Sequence, residues 1–134
     1  MEYNCKITKE GGMYIVQFPD MPNIVTYGET KEAALAMAEE ALNGVLEADV
    51  SQGLSIPPPV YKKGYPITVA NNIVIAMRLR ELRGSQSQTE VAKKLGLSYQ
   101  AYQRLENPGK SNPTIKTLER IAHVFDRELA VLIQ

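Results

Sequence analysis

Alternating apolar and polar residues near the start of the chain predict β-strands. In EYNCKIT, residues 2–8, every second residue from Tyr3 to Ile7 is apolar, which is typical of a strand with one buried face. MYIVQF (13–18) and IVTYG (24–28) predict two more strands because they are rich in β-branched and aromatic side chains. The two glycines of KEGG, before the second strand, favour a hairpin turn. The three strands are therefore expected to form a meander.

A helical period replaces this alternation in the residues that follow. Thr30 is suited to cap the helix, and Glu32 lies near the positive end of the helix dipole. Apolar residues then recur at spacings of three, four and seven, giving a stripe formed by Ala34, Leu35, Ala38, Ala41, Leu42, Val45 and Leu46. Prolines 57–59 exclude a helix, and YPITV (65–69) predicts a fourth strand. The pattern predicts a β-β-β-α-β unit over residues 1–69 and a hinge near Ala70–Asn72.

The rest of the chain predicts five short helices. The first places apolar residues on one face and arginines largely outside it: Ile75, Leu79 and Leu82, against Arg78, Arg80 and Arg83. Ser87 and Glu90 match the S-x-x-E capping box at the start of the second helix, and Gly96 is suited to end it. Ser98 is expected to cap the third. The fold class is therefore α+β, with an all-α second domain of five helices.

The second and third of these helices have the features of a helix–turn–helix, namely a cap, a tight glycine turn and a polar outer face. Spacing divides the third helix into inward positions, Ala101, Tyr102 and Leu105, and outward positions, Ser98, Tyr99, Gln100, Gln103 and Arg104. Gln can pair with adenine and Arg with guanine in the major groove of DNA. Gln88 is placed either for a phosphate contact or for bracing Gln100, and Lys110 is a further phosphate candidate.

The neutral total charge hides an asymmetry between the two halves. Residues 1–70 carry five Lys or Arg against nine Asp or Glu, a net −4, and residues 71–134 carry ten against six, a net +4. A basic half suits a polyanion and an acidic half suits a basic partner, although chance scatter over two solvated surfaces is an alternative. Cys5, the single cysteine, is expected to be a buried strand residue. With no long apolar run, signal peptide or metal-ligand spacing, we expect a cytoplasmic protein without cofactor or membrane partner.

Residues 75–133 resemble the phage-repressor (XRE-type) helix–turn–helix domain. The resemblance is carried by RLRELRGSQSQTEVAKKLGLS, YQRLEN and NPTIKTLERIAHVFD, and it implies DNA contacts at Gln88, Tyr99, Gln100, Gln103 and Arg104. Two residues depart from the family pattern. Tyr99 is bulkier than the usual Ser, Gln or Arg, so we expect it to stack on sugar or to contact a thymine methyl. Pro108 lengthens the loop before Lys110.

FPDMPNIVTYGETKEAALAMAEEAL, residues 18–42, is similar to the N-terminal domain of HicB-family antitoxins. The family pattern is D-x-P, T-x-G-[DE]-T and an EA-rich helix, matched here by Asp20, Pro22, Thr26, Gly28, Glu29, Thr30, Glu32, Ala33 and Ala34. IPPP (56–59) fits the loop that follows in the family. The resemblance covers about residues 3–69 and implies a partial RNase H-like fold.

Together the two resemblances imply an antitoxin that regulates its own operon. Residues 1–70 would bind and block HicA, a small basic mRNA-cleaving toxin, and residues 71–134 would bind a palindromic operator as a homodimer or tetramer. The first alternative is a transcriptional repressor whose N-terminal domain senses a small molecule. The second is a metal-dependent nuclease, which the sequence disfavours because no carboxylates converge on a central strand.

Overall fold

A computed structural model describes residues 1–133. The chain folds into two units, Met1–Val69 and a second that begins at Ala70. The first unit contains four strands, β1 (Glu2–Glu10), β2 (Met13–Gln17), β3 (Val25–Gly28) and β4 (Tyr65–Thr68). They form one sheet in the order β3-β2-β1-β4, and each neighbouring pair is antiparallel. The predicted meander is confirmed, and β4 extends it on the far side of β1.

The hairpin between β1 and β2 depends on its two glycines. Gly11 and Gly12 have φ values of 59° and 82°, and Glu10 pairs with Met13 across the turn. A two-residue turn with positive φ at both positions matches the right-handed twist of the flanking strands. The turn therefore fixes the register in which Val16 lies opposite Ile7, and both side chains face the helix-covered side of the sheet.

Helix α1 (Lys31–Ser51) covers one face of this sheet. Thr30 caps it as predicted, since its Oγ1 accepts a hydrogen bond from the Ala33 amide at 3.0 Å. The fully buried side chains follow a spacing of four residues: Ala34, Ala38, Leu42, Leu46 and Val50. Leu35, Ala41 and Val45, predicted to belong to the buried stripe, are only half-buried, and Val50 was not predicted.

The second unit is helical, with α2 (Asn71–Arg83), α3 (Gln88–Leu95), α4 (Tyr99–Leu105), α5 (Ile115–Val124) and a 3₁₀ helix (Leu129–Leu132). All five predicted helices are present, and the α+β fold class is confirmed. Asn71 and Asn72, which the sequence places in a hinge, are the first two residues of α2. Among residues 1–133, no helix combines the length and the apolar character needed to cross a membrane.

One apolar core holds the helices of the second unit together. Its fully or nearly buried members come from every helix: Ile75, Leu79, Val91, Ala92, Leu95, Tyr102, Leu105, Leu118, Ile121, Ala122 and Leu132. The inward positions predicted for the first and third helices of this unit are confirmed, with Leu82 and Ala101 half-buried at the edge. This core fixes the angle at which α4 is presented to solvent.

Candidate nucleic-acid interface

Two serine caps and one glycine define the turn between α3 and α4. Ser87 Oγ accepts a hydrogen bond from the Glu90 amide, and Ser98 Oγ accepts one from the Ala101 amide, both at 3.1 Å. Gly96 has a φ of 68°, a left-handed conformation that ends α3 and that an L side chain rarely adopts. The predicted caps at Ser87 and Ser98 and the glycine turn at Gly96 are confirmed.

A small residue allows α3 and α4 to cross closely. Ala92 is buried on α3, and its carbonyl oxygen accepts a hydrogen bond from the Leu97 amide at 2.9 Å, just after the turn. Tyr102 and Leu105 pack into the same core from α4. A larger side chain at residue 92 would push the helices apart and change the direction in which α4 points.

The opposite side of α4 is exposed and polar. It brings five of the seven sequence-derived candidates onto one short helix and its cap: Ser98, Tyr99, Gln100, Gln103 and Arg104, all exposed. The Oγ atom of Ser98 is engaged in capping α4, where it accepts the hydrogen bond from the Ala101 amide. The remaining four offer amide, guanidinium and phenol groups, which are the donors and acceptors that read base edges in the major groove.

A chain of hydrogen bonds holds part of this face in place. Gln103 Nε2 donates to the Tyr99 hydroxyl at 3.1 Å, and the Tyr99 hydroxyl donates to Gln88 Oε1 at 3.3 Å. Gln88 therefore braces Tyr99 in this structure, and its predicted roles, a phosphate contact or bracing of Gln100, stay predictions. The hydroxyl of Tyr99 is bonded to two neighbouring side chains, and the expectation that Tyr99 contacts DNA through its ring stays a prediction.

The last acceptor in this series of hydrogen bonds is the buried carboxylate of Glu106, whose role the sequence did not reveal. Gln88 Nε2 donates to Glu106 Oε1 at 3.2 Å, and Glu106 is only 2% exposed. Arg83 donates to both carboxylate oxygens, from Nε at 2.7 Å and from Nη2 at 3.0 Å. The hydroxyl of Tyr102 donates to Glu106 Oε2 as well. Glu106 thus connects α2, α3 and α4 at the back of the exposed face.

Arg83, expected to lie largely outside the apolar face of α2, is absent from the apolar core but partly buried, with a side chain that is 23% exposed. Its guanidinium turns toward the core to pair with Glu106, because the carboxylate needs a charged partner once it is buried. Burial raises the pKa of Glu106, but hydrogen bonds from Arg83, Tyr102 and Gln88 outweigh it, so the pKa lies below its ordinary value. For Arg83 the shift is in the opposite direction, since the hydrogen bond to Glu106 raises the pKa of its guanidinium.

Lys110 lies in the loop that follows α4 and is exposed. Asn107 organises this loop, since its carbonyl oxygen accepts hydrogen bonds from the amides of Lys110 and Ser111 at 3.0 and 2.8 Å. Pro108, the extra residue, is buried, and its carbonyl oxygen accepts a hydrogen bond from Asn72 Nδ2. The insertion is therefore absorbed into the fold, and the ammonium group of Lys110 remains available to solvent.

In the first unit, the motif residues of residues 18–42 have structural roles. Asp20 accepts hydrogen bonds from the amides of Val60 and Tyr61, at 3.0 Å from Oδ2 to each nitrogen, and so anchors the proline-rich loop. A Cβ atom on Gly28 would lie 2.4 Å from the Ala34 nitrogen, so only glycine lets α1 start this close to β3. Asp20 and Gly28 therefore help to specify the fold of this unit.

Metal binding and thiol chemistry depend on the His, Cys, Asp and Glu side chains of residues 1–133. No three His, Cys, Asp or Glu side chains in this part of the chain are placed to hold a metal ion together. Cys5 is buried in β1 as expected, and burial raises the pKa of its thiol. A raised pKa keeps the sulfur protonated and poorly nucleophilic at neutral pH.

Comparison with known proteins gives two family matches that together cover nearly the whole chain. Residues 2–80 match the HicB-like antitoxin of bacterial toxin–antitoxin systems, and residues 78–132 match a helix–turn–helix family. Antitoxin HicB 1 and Antitoxin HicB 2 of Photorhabdus laumondii are 30% and 31% identical, over 94% and 98% of this chain and 81% and 96% of their own lengths. The plasmid copy control protein CopR of Streptococcus agalactiae is 42% identical over 40% of this chain and 56% of its own length.

Proposed function

The chain belongs to the family of HicB-like antitoxins, and from this we propose that it is the antitoxin of a HicA/HicB-type toxin–antitoxin pair. Its N-terminal domain, residues 1–70, neutralises an mRNA-cleaving toxin. Its C-terminal domain, residues 71–134, represses the operon that encodes the pair. Relatives that carry the name antitoxin match this chain over nearly its full length, which supports the first role. The match to a helix–turn–helix family supports the second.

One observation carries the DNA-reading part of this proposal: two side chains of the exposed face of α4, Tyr99 and Gln103, are linked through Gln88 to a buried carboxylate by hydrogen bonds. A face that is ordered before it meets DNA loses less conformational entropy on binding. The helix–turn–helix presents this face at the start of its second helix, where the side chains of such motifs reach base edges. The net charge of +4 on residues 71–134 adds attraction to phosphates.

Individual roles follow from the chemistry of each side chain. Arg104 is suited to pair with guanine, and Gln100 and Gln103 are suited to pair with adenine. Tyr99 contacts sugar or a thymine methyl with its ring, because its hydroxyl is already bonded within the protein. Lys110 contacts a phosphate.

Gln88 and Ser98 are assigned supporting roles, in which they position side chains or the first turn of α4. Gln88 orients Tyr99 while its own amide is bonded to Glu106, which favours the bracing role over a phosphate contact by this side chain. Ser98 fixes the first turn of α4. Two copies of the chain place two such helices about one DNA turn apart on a palindromic operator. The proposal requires no cofactor and assigns no catalytic residue.

The first experiment is a growth assay with the small open reading frame adjacent to the gene for this protein. We expect its induction to arrest growth, because the toxin cleaves mRNA. Co-expression of the full chain should relieve the arrest, and so should residues 1–70 alone, since toxin binding is assigned to that domain. The same fragment should fail to repress a reporter driven by the promoter of the pair, whereas the full chain should repress it.

Three outcomes separate the possibilities. Arrest relieved by the full chain and by the fragment supports the division of labour. Arrest relieved by the full chain but not by a folded fragment would show that toxin binding needs both domains. Arrest without relief by the full chain would favour the ligand-responsive repressor, leaving only the DNA-binding part of the proposal.

A further inference from the structure

An open apolar groove lies in the first unit between α1 and the edge strand β3. Its volume is about 440 Å³, and its apolar lining includes Val25 of β3 and Met37, Ala41 and Val45 of α1. Val25 and Met37 are 59% and 40% exposed, and Tyr27, two residues along β3 from Val25, is 60% exposed. The side chains of Val25 and Tyr27 alternate along β3 with Thr26 and with Gly28, which faces α1, so they lie on the sheet face away from the helix. On the helix side, the exposed Met37 side chain offers an apolar contact to a partner.

The strand that borders the groove has one free side. β3 is the first strand in the order β3-β2-β1-β4, so β2 pairs with one of its edges and no strand of residues 1–133 pairs with the other. The backbone N–H and C=O groups along a free edge can pair with a strand from another protein. The groove and the strand edge therefore offer apolar contacts and main-chain hydrogen bonds side by side.

A glycine inside α1 keeps the groove open. Gly44 lines it, and a Cβ atom built on Gly44 would meet nothing within 4 Å, unlike one on Gly28. Glycine within a helix is about 1 kcal/mol less favourable than alanine, so the fold itself gives no reason for it here. A reason exists if a partner approaches the helix backbone closely at this point.

The charges around the groove indicate what kind of partner it accepts. Glu40 lines the groove, and Glu47 lies on the next turn beyond Gly44. Residues 32–61 contain five acidic residues and no lysine or arginine, so no basic side chain of α1 after Lys31 offsets them. A partner with a basic surface would be attracted to this side of the unit and favourably placed by it.

We propose that this groove and the free edge of β3 form the docking site for a basic segment of the toxin. The segment pairs with β3, inserts an apolar side chain against Met37 and Ala41, and places a lysine or arginine against Glu40. The inference rests on the proposed function, because it takes the toxin as the partner. A second copy of this chain fits less well, since pairing two β3 edges about a two-fold axis would bring two acidic α1 helices together.

The test is a calorimetric titration of the purified toxin into the full-length protein and two of its variants. Gly44→Arg fills the groove while improving helix propensity, and we expect it to weaken toxin binding about 100-fold, as the loss of a central contact does. Glu40→Lys reverses the charge at the rim, and we expect a loss of about 10-fold that shrinks at high salt. Operator binding by both variants should equal that of the unaltered protein.

Two control variants make the same chemical changes elsewhere on α1. Glu39→Lys alters the net charge as Glu40→Lys does, but neighbouring helix residues point about 100° apart, and Glu39 does not line the groove. Ala36→Arg adds an arginine at an exposed residue of the same helix that also lies outside the groove. Both controls should bind toxin within about threefold of the unaltered protein, as expected for changes outside a contact.

The outcomes distinguish this inference from the proposed function. If the unaltered protein binds the toxin but Gly44→Arg and Glu40→Lys bind it as well as their controls do, the docking site is wrong and the antitoxin role stands. If Glu39→Lys weakens binding as much as Glu40→Lys, net charge is the cause and the contact at Glu40 is wrong. If the unaltered protein does not bind the toxin at all, both proposals fail.

Discussion

The carboxylate of Glu106 is surrounded by side chains from three helices, and its burial has an energetic consequence. A buried charge is unfavourable unless its partners replace the water it has lost, and here Arg83, Tyr102 and Gln88 do so. The arrangement connects stability to function, because the same Gln88 that bonds Glu106 also holds Tyr99. Loss of the carboxylate should therefore loosen both the core of the second unit and the exposed face of α4.

We expect Glu106→Gln to destabilise the second unit by about 3 kcal/mol at pH 7, because Arg83 is left without its charged partner. Amide hydrogen exchange of α3–α5 in the full-length protein measures this change, with the amides of β1–β4 as an internal reference. The matched control is Glu81→Gln, since Glu81 pairs with Arg78 at a side-chain exposure of 60%. An exposed pair contributes under about 1 kcal/mol, so an equal effect of both substitutions would contradict a special role for Glu106.

The pH dependence of this effect follows from the direction of the pKa shift. The folded-state pKa of Glu106 lies below its unfolded value, so the ionised carboxylate stabilises the second unit fully above about pH 4.3, the usual glutamate pKa. This stabilisation is lost as the pH falls through the folded-state pKa. The difference in exchange between the unaltered protein and Glu106→Gln should therefore narrow on acidification.

Glu106 shows what sequence patterns could not supply at the scale of single residues. The caps Thr30, Ser87 and Ser98 were predicted correctly because each acts on an amide three residues away. Glu106 was missed because its partner Arg83 is 23 residues away, and a charged residue at a helix end is usually solvated. Contacts that are remote along the chain leave no local periodicity to find.

At the scale of helices and strands, α1 shows both the strength and the limit of periodicity. Its start and buried side were predicted, but the buried residues from Ala34 to Val50 follow an i+4 row and not a mixture of threes and fours. Such a row is inclined to the helix axis and packs along a twisted sheet. The twist is a property of the sheet, so the sequence of the helix alone does not specify it.

Helix α4 presents the residues proposed to read DNA, and its short length makes its stability dependent on its surroundings. Seven residues are too few for a stable isolated helix, so its cap and the core contacts of Tyr102 and Leu105 stabilise it. The exposed side chains can then be changed with little effect on folding. This separation of a buried side from a reading side makes substitutions on α4 informative about DNA recognition.

We expect Arg104→Ala to reduce operator affinity by about 1–3 kcal/mol and to relax the preference for guanine at one position, as loss of a bidentate base contact does. Binding to operator and to base-substituted operators, measured by fluorescence anisotropy, tests this. Lys110→Ala should instead weaken binding to all sequences alike and lower the salt dependence by about one counterion. Arg127→Ala is the control for charge, because the Arg127 guanidinium donates to the backbone carbonyls of Phe125 and Asp126.

Two outcomes would contradict the base-reading role of Arg104. If Arg104→Ala weakened binding to operator and to random DNA by the same factor, Arg104 would act as a phosphate contact and not as a base reader. If Arg127→Ala had the same effect as Arg104→Ala, the net charge of the unit would account for both.

At the scale of the whole molecule, the division of charge parallels the proposed division of tasks. Residues 1–70 carry −4 and residues 71–134 carry +4, so each half would attract a different kind of partner. A basic toxin and an anionic operator would then be drawn to different parts of one chain. The charge pattern could be read from the sequence, whereas the groove beside β3 could not, because it arises from side chains of two elements that meet only after folding.

The symmetry of the assembly gives the last prediction. If two copies bind a palindromic operator as proposed, the two α4 helices contact half-sites about one DNA turn apart, on the same face of the duplex. Insertion of about five base pairs between the half-sites rotates one of them by roughly half a turn to the opposite face. We expect affinity to fall to that of an operator with a single intact half-site, as gel-shift titration would measure. The same insertion outside the palindrome should leave affinity unchanged, and an unaffected affinity after the central insertion would show that each copy binds DNA independently.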